Sequence, residues 1–88
     1  MGWKVEFTEI ALKTLKKLDK KTAAMIVSYI EKNLTGQINP RAIGRPLLGN
    51  QKGKWRYRIG SYRLLCKIED YRITVVVVQV GDRKDIYK

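Results

Sequence analysis

Eighty-eight residues with nineteen Lys and Arg against eight Asp and Glu carry a net charge of +11, which points to a polyanionic partner: nucleic acid, an anionic membrane or an acidic protein. One domain over residues 1–88 is expected, burying only roughly 60–65% of its unfolded surface and leaving little room for a deep substrate pocket. A single cysteine and no histidine exclude an internal disulfide, leave no plausible zinc site and no expected cofactor, and remove the usual acid and base of neutral pH.

Trp3, Val5 and Phe7 alternate with Lys4 and Glu6, so residues 2–7 read as a strand with one buried face. Thr8 is placed to N-cap a helix over Glu9–Leu18, where Ala11, Leu12, Leu15 and Leu18 follow helical spacing and Lys13, Lys16 and Lys17 lie opposite. Asp19 caps a second helix, Lys20–Leu34, with the stripe Ala23, Ile26, Val27, Ile30 and Leu34, and Gly36 fits its stop. The short link makes the pair an antiparallel hairpin whose stripe packs on a sheet. Residues 35–46, with two glycines and both prolines, read as an irregular connection, basic at Arg41 and Arg45. Leu47 and Leu48 are expected to anchor it to the core.

The stretch from Lys54 to Lys67 alternates aromatic or aliphatic residues with basic ones on both sides of Gly60-Ser61, a two-residue hairpin signal. With that loop, Ile59 pairs with Tyr62, Arg58 with Arg63, Tyr57 with Leu64, Arg56 with Leu65 and Lys54 with Lys67. Trp55, Tyr57, Ile59, Tyr62, Leu64 and Cys66 then share a core face, and Cys66 is a filler rather than a nucleophile. Lys54, Arg56, Arg58, Arg63 and Lys67 share the other. Like charges directly opposed across a hairpin are mildly destabilising, so Arg58 beside Arg63 is a conflict that an anion would resolve, and guanidinium forks match phosphate oxygens.

Glu69-Asp70-Tyr71-Arg72 reads as a second turn and Ile73–Val80 as a final strand ended by Gly81. Ile73, Val75 and Val77 lie on one side of it and Thr74, Val76, Val78 and Val80 on the other, so the strand is expected to be central and covered twice. Two helices cover one face only; a partner chain is expected on the other. The tail brings Arg83, Lys84 and Tyr87 back toward the sheet. The longest apolar run is far short of a membrane span, and no signal-peptide core opens the chain, so a cytoplasmic protein is expected.

Pro46-Leu47-Leu48-Gly49, the run from Gly53 through Trp55-Arg56-Tyr57-Arg58-Ile59-Gly60-Ser61-Tyr62-Arg63, and Val80 through Tyr87 resemble the RelE toxins of bacterial and archaeal toxin-antitoxin modules over essentially the whole chain. The resemblance implies an α+β fold of the RelE/ParE type: an N-terminal strand, an antiparallel helical hairpin and a three-stranded antiparallel meander, with the helices on one face of a small twisted sheet. It implies a ribosome-dependent endoribonuclease that cuts mRNA in the decoding site. A cognate, RelB-like acidic antitoxin that folds on binding would hold it inactive, and operator DNA would be reached only through that antitoxin.

By motif position the resemblance assigns Arg56, Arg58, Arg63, Arg83 and Tyr87 to the scissile phosphate. Lys52, Lys54, Lys67 and Lys84 are expected as further RNA contacts. Arginine at 56 and 58, where lysines can occur in the family, bears on mechanism, because a guanidinium is not a base at neutral pH. Two rival readings keep the chemistry different: a ParE-like inhibitor of DNA gyrase, and a non-catalytic RNA-binding domain.

Overall fold

The N-terminal alternation forms β1 (Lys4–Phe7), and the two apolar stripes form α1 (Glu9–Lys17) and α2 (Lys20–Asn33), in the computed structural model, which describes residues 2–49 and 52–82. Each helix starts where a capping oxygen is available. The Thr8 hydroxyl accepts from the Ala11 amide at 3.1 Å and Asp19 Oδ2 from the Thr22 amide at 3.1 Å, satisfying amides that no helical carbonyl reaches. After them come β2 (Arg45–Pro46), β3 (Trp55–Ile59), β4 (Tyr62–Glu69) and β5 (Thr74–Asp82). The five strands form one mixed sheet in the order β1-β5-β4-β3-β2, with β1 parallel to β5 and the other neighbours antiparallel.

Ala11, Ile26, Ile30 and Leu34 of the helical hairpin pack with Tyr57, Ile59, Leu64, Cys66, Val75, Val77 and Val80 of the sheet in one buried cluster. The helices therefore cover a single face, as expected. The β3–β4 register is the expected one, Ile59 with Tyr62, Arg58 with Arg63, Tyr57 with Leu64, Arg56 with Leu65 and Trp55 with Cys66. Gly60 takes a φ of +58°, which a glycine-first two-residue loop requires. The ladder begins at Trp55, so the expected Lys54–Lys67 pair is not part of it.

The final strand differs from its expected pattern in one informative way. Between Leu65 and Cys66 the pairing with β5 slips: Leu65 lies opposite Gln79 and Cys66 opposite Val77, leaving Val78 as the extra residue of a β-bulge. The slip turns Val80 into the core, opposite Leu64, instead of leaving it beside Val76 on the far face. Thr8 holds the bulge in place. Its amide donates to the Val77 carbonyl at 2.9 Å and its hydroxyl to the Val78 carbonyl at 2.8 Å, while the same oxygen caps α1. One side chain thus ties the start of the first helix to the kink in the inner strand.

Three local expectations are corrected. Ile73 is not the first residue of β5; it closes the turn Asp70–Arg72 in the left-handed region at φ 51°, and the strand runs on past Gly81 to Asp82. The connection before β3 is not wholly irregular, since Pro40–Ala42 forms a 3-10 turn and Arg45–Pro46 an edge strand on β3, where a proline needs no ladder donor. Leu48 does not anchor that connection, being 83% exposed. Pro40, which is buried, takes that place.

Candidate functional site

β2, β3 and β4 bring four arginines into two adjacent rows on the sheet face away from the helices. Arg45 stands opposite Arg56, and Arg58 opposite Arg63, with Arg56 and Arg58 two residues apart on the same strand and so on the same face. Arg45 and Arg58 are exposed and Arg56 half-buried. Arg63 is different: only 4% of it is exposed. Its Nη1 donates to the Tyr62 carbonyl at 3.1 Å and the Gly60 carbonyl at 3.4 Å, while its buried Nε has no hydrogen-bond partner. A charged donor left buried and unpaired is costly unless an acceptor arrives. On the β5 side Arg63 lies opposite Gly81.

Arg45 reaches its row because the connection before it is pinned to β3. The Tyr57 hydroxyl donates to the Pro40 carbonyl at 2.6 Å, and Trp55 Nε1 to the Ile43 carbonyl at 2.8 Å. Gly44 makes the close approach possible: its φ is +79°, and a Cβ there would stand 2.4 Å from the Arg56 carbonyl oxygen and 2.6 Å from Trp55 Nε1. Burial pushes the Tyr57 hydroxyl well above its ordinary range, with Cys66 and Tyr29 adding to the shift, so it stays a neutral donor to Pro40. The same connection is held at its far side by Arg41, whose two terminal nitrogens each donate to Asp70 at 2.8 Å, a paired fork geometry.

At the outer edge of β3 a cleft of about 610 Å³ is lined by Tyr29, Ala42, Ile43, Gly44, Arg45, Pro46, Arg56 and Arg58. Among the described residues no carboxylate lines it. A smaller cleft of about 230 Å³ lies between Arg41, Pro46, Gly53, Lys54, Trp55 and Ile68.

Of the residues assigned from sequence, Arg56, Arg58 and Arg63 fall together. Lys67 is exposed on the same face by register and pairs with Glu69 at 3.7 Å. Lys54 lines the smaller cleft instead, and Lys52 is exposed in the turn before β3. Arg83, Lys84 and Tyr87 lie outside the described residues. Arg45 and Tyr29 line the cleft beside this row, and the sequence reading does not single them out. A Gly-Arg-Pro tripeptide just ahead of a basic hairpin was the available signal for Arg45, since proline beside a tight glycine suits an edge strand. Burial pushes the Cys66 thiol far above its usual range, which fits a packing role and not a nucleophile. No group of metal-ligating side chains occurs among the described residues, and no helix there is long and apolar enough to cross a membrane.

Comparison with known proteins places this geometry. Residues 5–87 match the family described as the ParE toxin of the type II toxin-antitoxin system parDE. Toxin RelG of Mycobacterium tuberculosis is 36% identical over the whole of this chain and 99% of its own length, and toxin RelE of the same organism is 30% identical over 96% of this chain and 84% of its own. Among solved structures, a chain of the RelBE2 toxin-antitoxin complex from M. tuberculosis superposes with a TM-score of 0.84 at 34% identity, covering 97% of this chain and 95% of that one. A sheet with a helical hairpin on one face and an arginine row on the other is thus joined to whole-length sequence kinship, and the chain belongs to the RelE/ParE family as a RelE-type toxin of a type II toxin-antitoxin module.

Proposed function

We propose that this toxin is a ribosome-dependent endoribonuclease that cuts mRNA in the decoding site of the 70S ribosome and so inhibits translation. The observation that carries the reading is the arginine face itself: Arg56, Arg58 and Arg63 in adjacent register, with Arg63 buried and its Nε unpartnered. Two guanidinium groups directly opposed cost stability, and a phosphate between them removes that cost.

The chemistry that suits such a face is in-line attack by the ribose 2′-hydroxyl on the adjacent phosphorus. The 2′-oxygen forms its bond to phosphorus as the bond to the 5′-oxygen breaks, one proton leaves the 2′-hydroxyl and one is delivered to the 5′-oxygen, leaving a 2′,3′-cyclic phosphate and a 5′-hydroxyl. Arg56, Arg58 and Arg63 bind and stabilise the phosphorane oxygens. Tyr87 orients or deprotonates the 2′-hydroxyl or stacks on a base, Arg83 faces the leaving oxygen, and Lys54 and Lys84 are the reserve candidates for proton transfer. Lys52 and Lys67 add long-range attraction for the RNA. With no histidine in the chain, the toxin depends on the ribosome to bend the mRNA into line, so free RNA is a poor substrate.

The partner in the resting state is a cognate antitoxin of the RelB kind, since the similar M. tuberculosis chain was solved in a toxin-antitoxin complex. An acidic segment that folds as it binds complements a surface of net charge +11.

The test is to add the purified toxin, freed of antitoxin, to ribosomes paused on a defined mRNA and map cuts by primer extension, with an Arg63→Ala, Arg83→Ala variant alongside. A cut in the decoding site that the variant lacks supports the reading. The match to a family described as ParE favours one alternative, inhibition of DNA gyrase through protein contacts. Block of gyrase supercoiling without any mRNA cut would establish that alternative in its place.

A further inference from the structure

The cleft at the outer edge of β3 shares Arg56 and Arg58 with the proposed phosphate chemistry and extends past them to residues that chemistry does not use. β2 covers β3 only at Trp55 and Arg56. Beside that edge lies a space of about 610 Å³, lined by Tyr29 of α2, by Ala42, Ile43 and Arg45, and by Arg56 and Arg58 of β3. That volume lies in the roughly 300–1,000 Å³ range of small-ligand sites. Its walls are of two kinds. Arg45, Arg56 and Arg58 supply guanidinium groups, while Tyr29, Ala42, Ile43 and Pro46 supply apolar and aromatic surface.

Arg45 has no carboxylate partner among the described residues, though Arg41, four residues earlier, holds Asp70 in a two-pronged pair. It is nevertheless set against Arg56 by three devices: Trp55 Nε1 on the Ile43 carbonyl, the Tyr57 hydroxyl on the Pro40 carbonyl, and the absence of a side chain at Gly44. Two like charges held in register repel mildly. Burial raises the pKa of the Tyr29 hydroxyl, so the phenol is neutral, and a half-buried neutral ring beside cations is a stacking surface for a nucleobase.

We propose that this edge cleft is a nucleotide subsite for single-stranded RNA, in which Arg45 binds the phosphate neighbouring the scissile one and the base lies against Tyr29 and Ile43. Arg45 is then a substrate-binding residue at one end of a continuous track Arg45, Arg56, Arg58, Arg63. The inference rests on the RNA-cleaving reading of the arginine face and names a subsite next to it.

The experiment measures binding apart from cleavage. Full-length toxin is titrated into a fluorescein-labelled single-stranded RNA hexamer at several salt concentrations, followed by anisotropy, for wild type, Arg45→Gln, Tyr29→Leu and Lys13→Gln. Lys13 is exposed on α1 and serves as the charge control. Arg45→Gln is expected to lower the slope of log affinity against log salt by roughly 0.7, the share of one single-strand phosphate contact, and Lys13→Gln to leave it unchanged. Tyr29→Leu is expected to weaken binding about 5- to 100-fold at constant slope. Because Tyr29 also packs against the core, the second readout uses unaltered protein: 4-thiouridine placed in the hexamer is irradiated and the cross-linked peptide mapped, with Tyr29 or Ile43 the expected site. Equal slopes for wild type and Arg45→Gln, or cross-links confined to other elements, overturn the subsite even where ribosome-dependent cleavage persists. Failure of wild-type toxin both to bind the hexamer and to cut on ribosomes overturns the RNA reading beneath it. An Arg45→Gln defect toward an acidic peptide but not toward RNA assigns the cleft to a protein partner and overturns the subsite as well.

Discussion

The two faces of the β3–β4 hairpin are written with the same period and made for opposite ends. On the helix side Tyr57, Ile59, Leu64 and Cys66 are buried among helical side chains, and each is placed where apolar surface leaves water. On the far side the same alternation sets Arg58 against Arg63, and β2 adds Arg45 against Arg56. The first face stabilises the fold at about 25 cal/mol per Å² of apolar surface buried; the second opposes it through like-charge contact. Stability and the proposed RNA chemistry are thus divided across a single sheet, and substitutions on the two faces should separate cleanly.

The widest separation is expected at one cross-strand position. Leu64→Ala removes a fully buried side chain and should cost about 2–5 kcal/mol of unfolding free energy in urea titrations. Arg58→Gln, one residue-pair away on the other face, should leave stability unchanged or raise it by a few tenths of a kcal/mol, while the proposed ribosome-dependent cleavage falls by about 10²–10³-fold, the usual effect of losing one preorganised donor to a developing oxyanion. Equal losses of stability for both variants would abolish the division.

Gly44→Ala tests whether the division depends on a backbone approach. The new Cβ must displace the Arg56 carbonyl and adopt a positive φ, so a loss of about 1–3 kcal/mol is expected, with β2 pulled from β3. Tyr57→Phe is gentler. It removes the hydroxyl that holds the Pro40 carbonyl and should cost about 1–2 kcal/mol while leaving the hairpin register intact, as amide exchange across β3 and β4 would report.

How much of this was legible from the chain follows from how local each signal is. Helices capped by Thr8 and Asp19, and the hairpin around Gly60-Ser61, declare themselves within a few residues, and with them the shared face of Arg56, Arg58 and Arg63. The bulge at Val78 does not. Thr74 to Val80 is nearly uniform in valine, so no break in alternation marks the slip, which is specified by Thr8, seventy residues away along the chain. Arg45 was equally hidden, because its place is set by Tyr57 and Trp55 reaching back to Pro40 and Ile43, contacts that no window of local periodicity contains.

The smallest expected effect concerns the pair that anchors the connection from outside the core, Arg41 and Asp70. Hydrogen bonding from Arg41, aided by its charge, lowers the Asp70 pKa below its ordinary value, so the folded state favours the carboxylate more than the unfolded state does. Such a group contributes stability that is complete above the unfolded carboxyl pKa, near 4, and is lost as pH falls through the lower folded value. Asp70→Asn should therefore be slightly less stable than wild type near pH 7, with the difference closing in acid, and both side chains are solvent-exposed enough for salt to narrow it further. Urea midpoints measured from pH 7 to pH 3 would show the two curves converging. Parallel curves would mean that Asp70 contributes nothing through its charge, and that Tyr57 and Trp55 alone keep Arg45 in line with the arginine row.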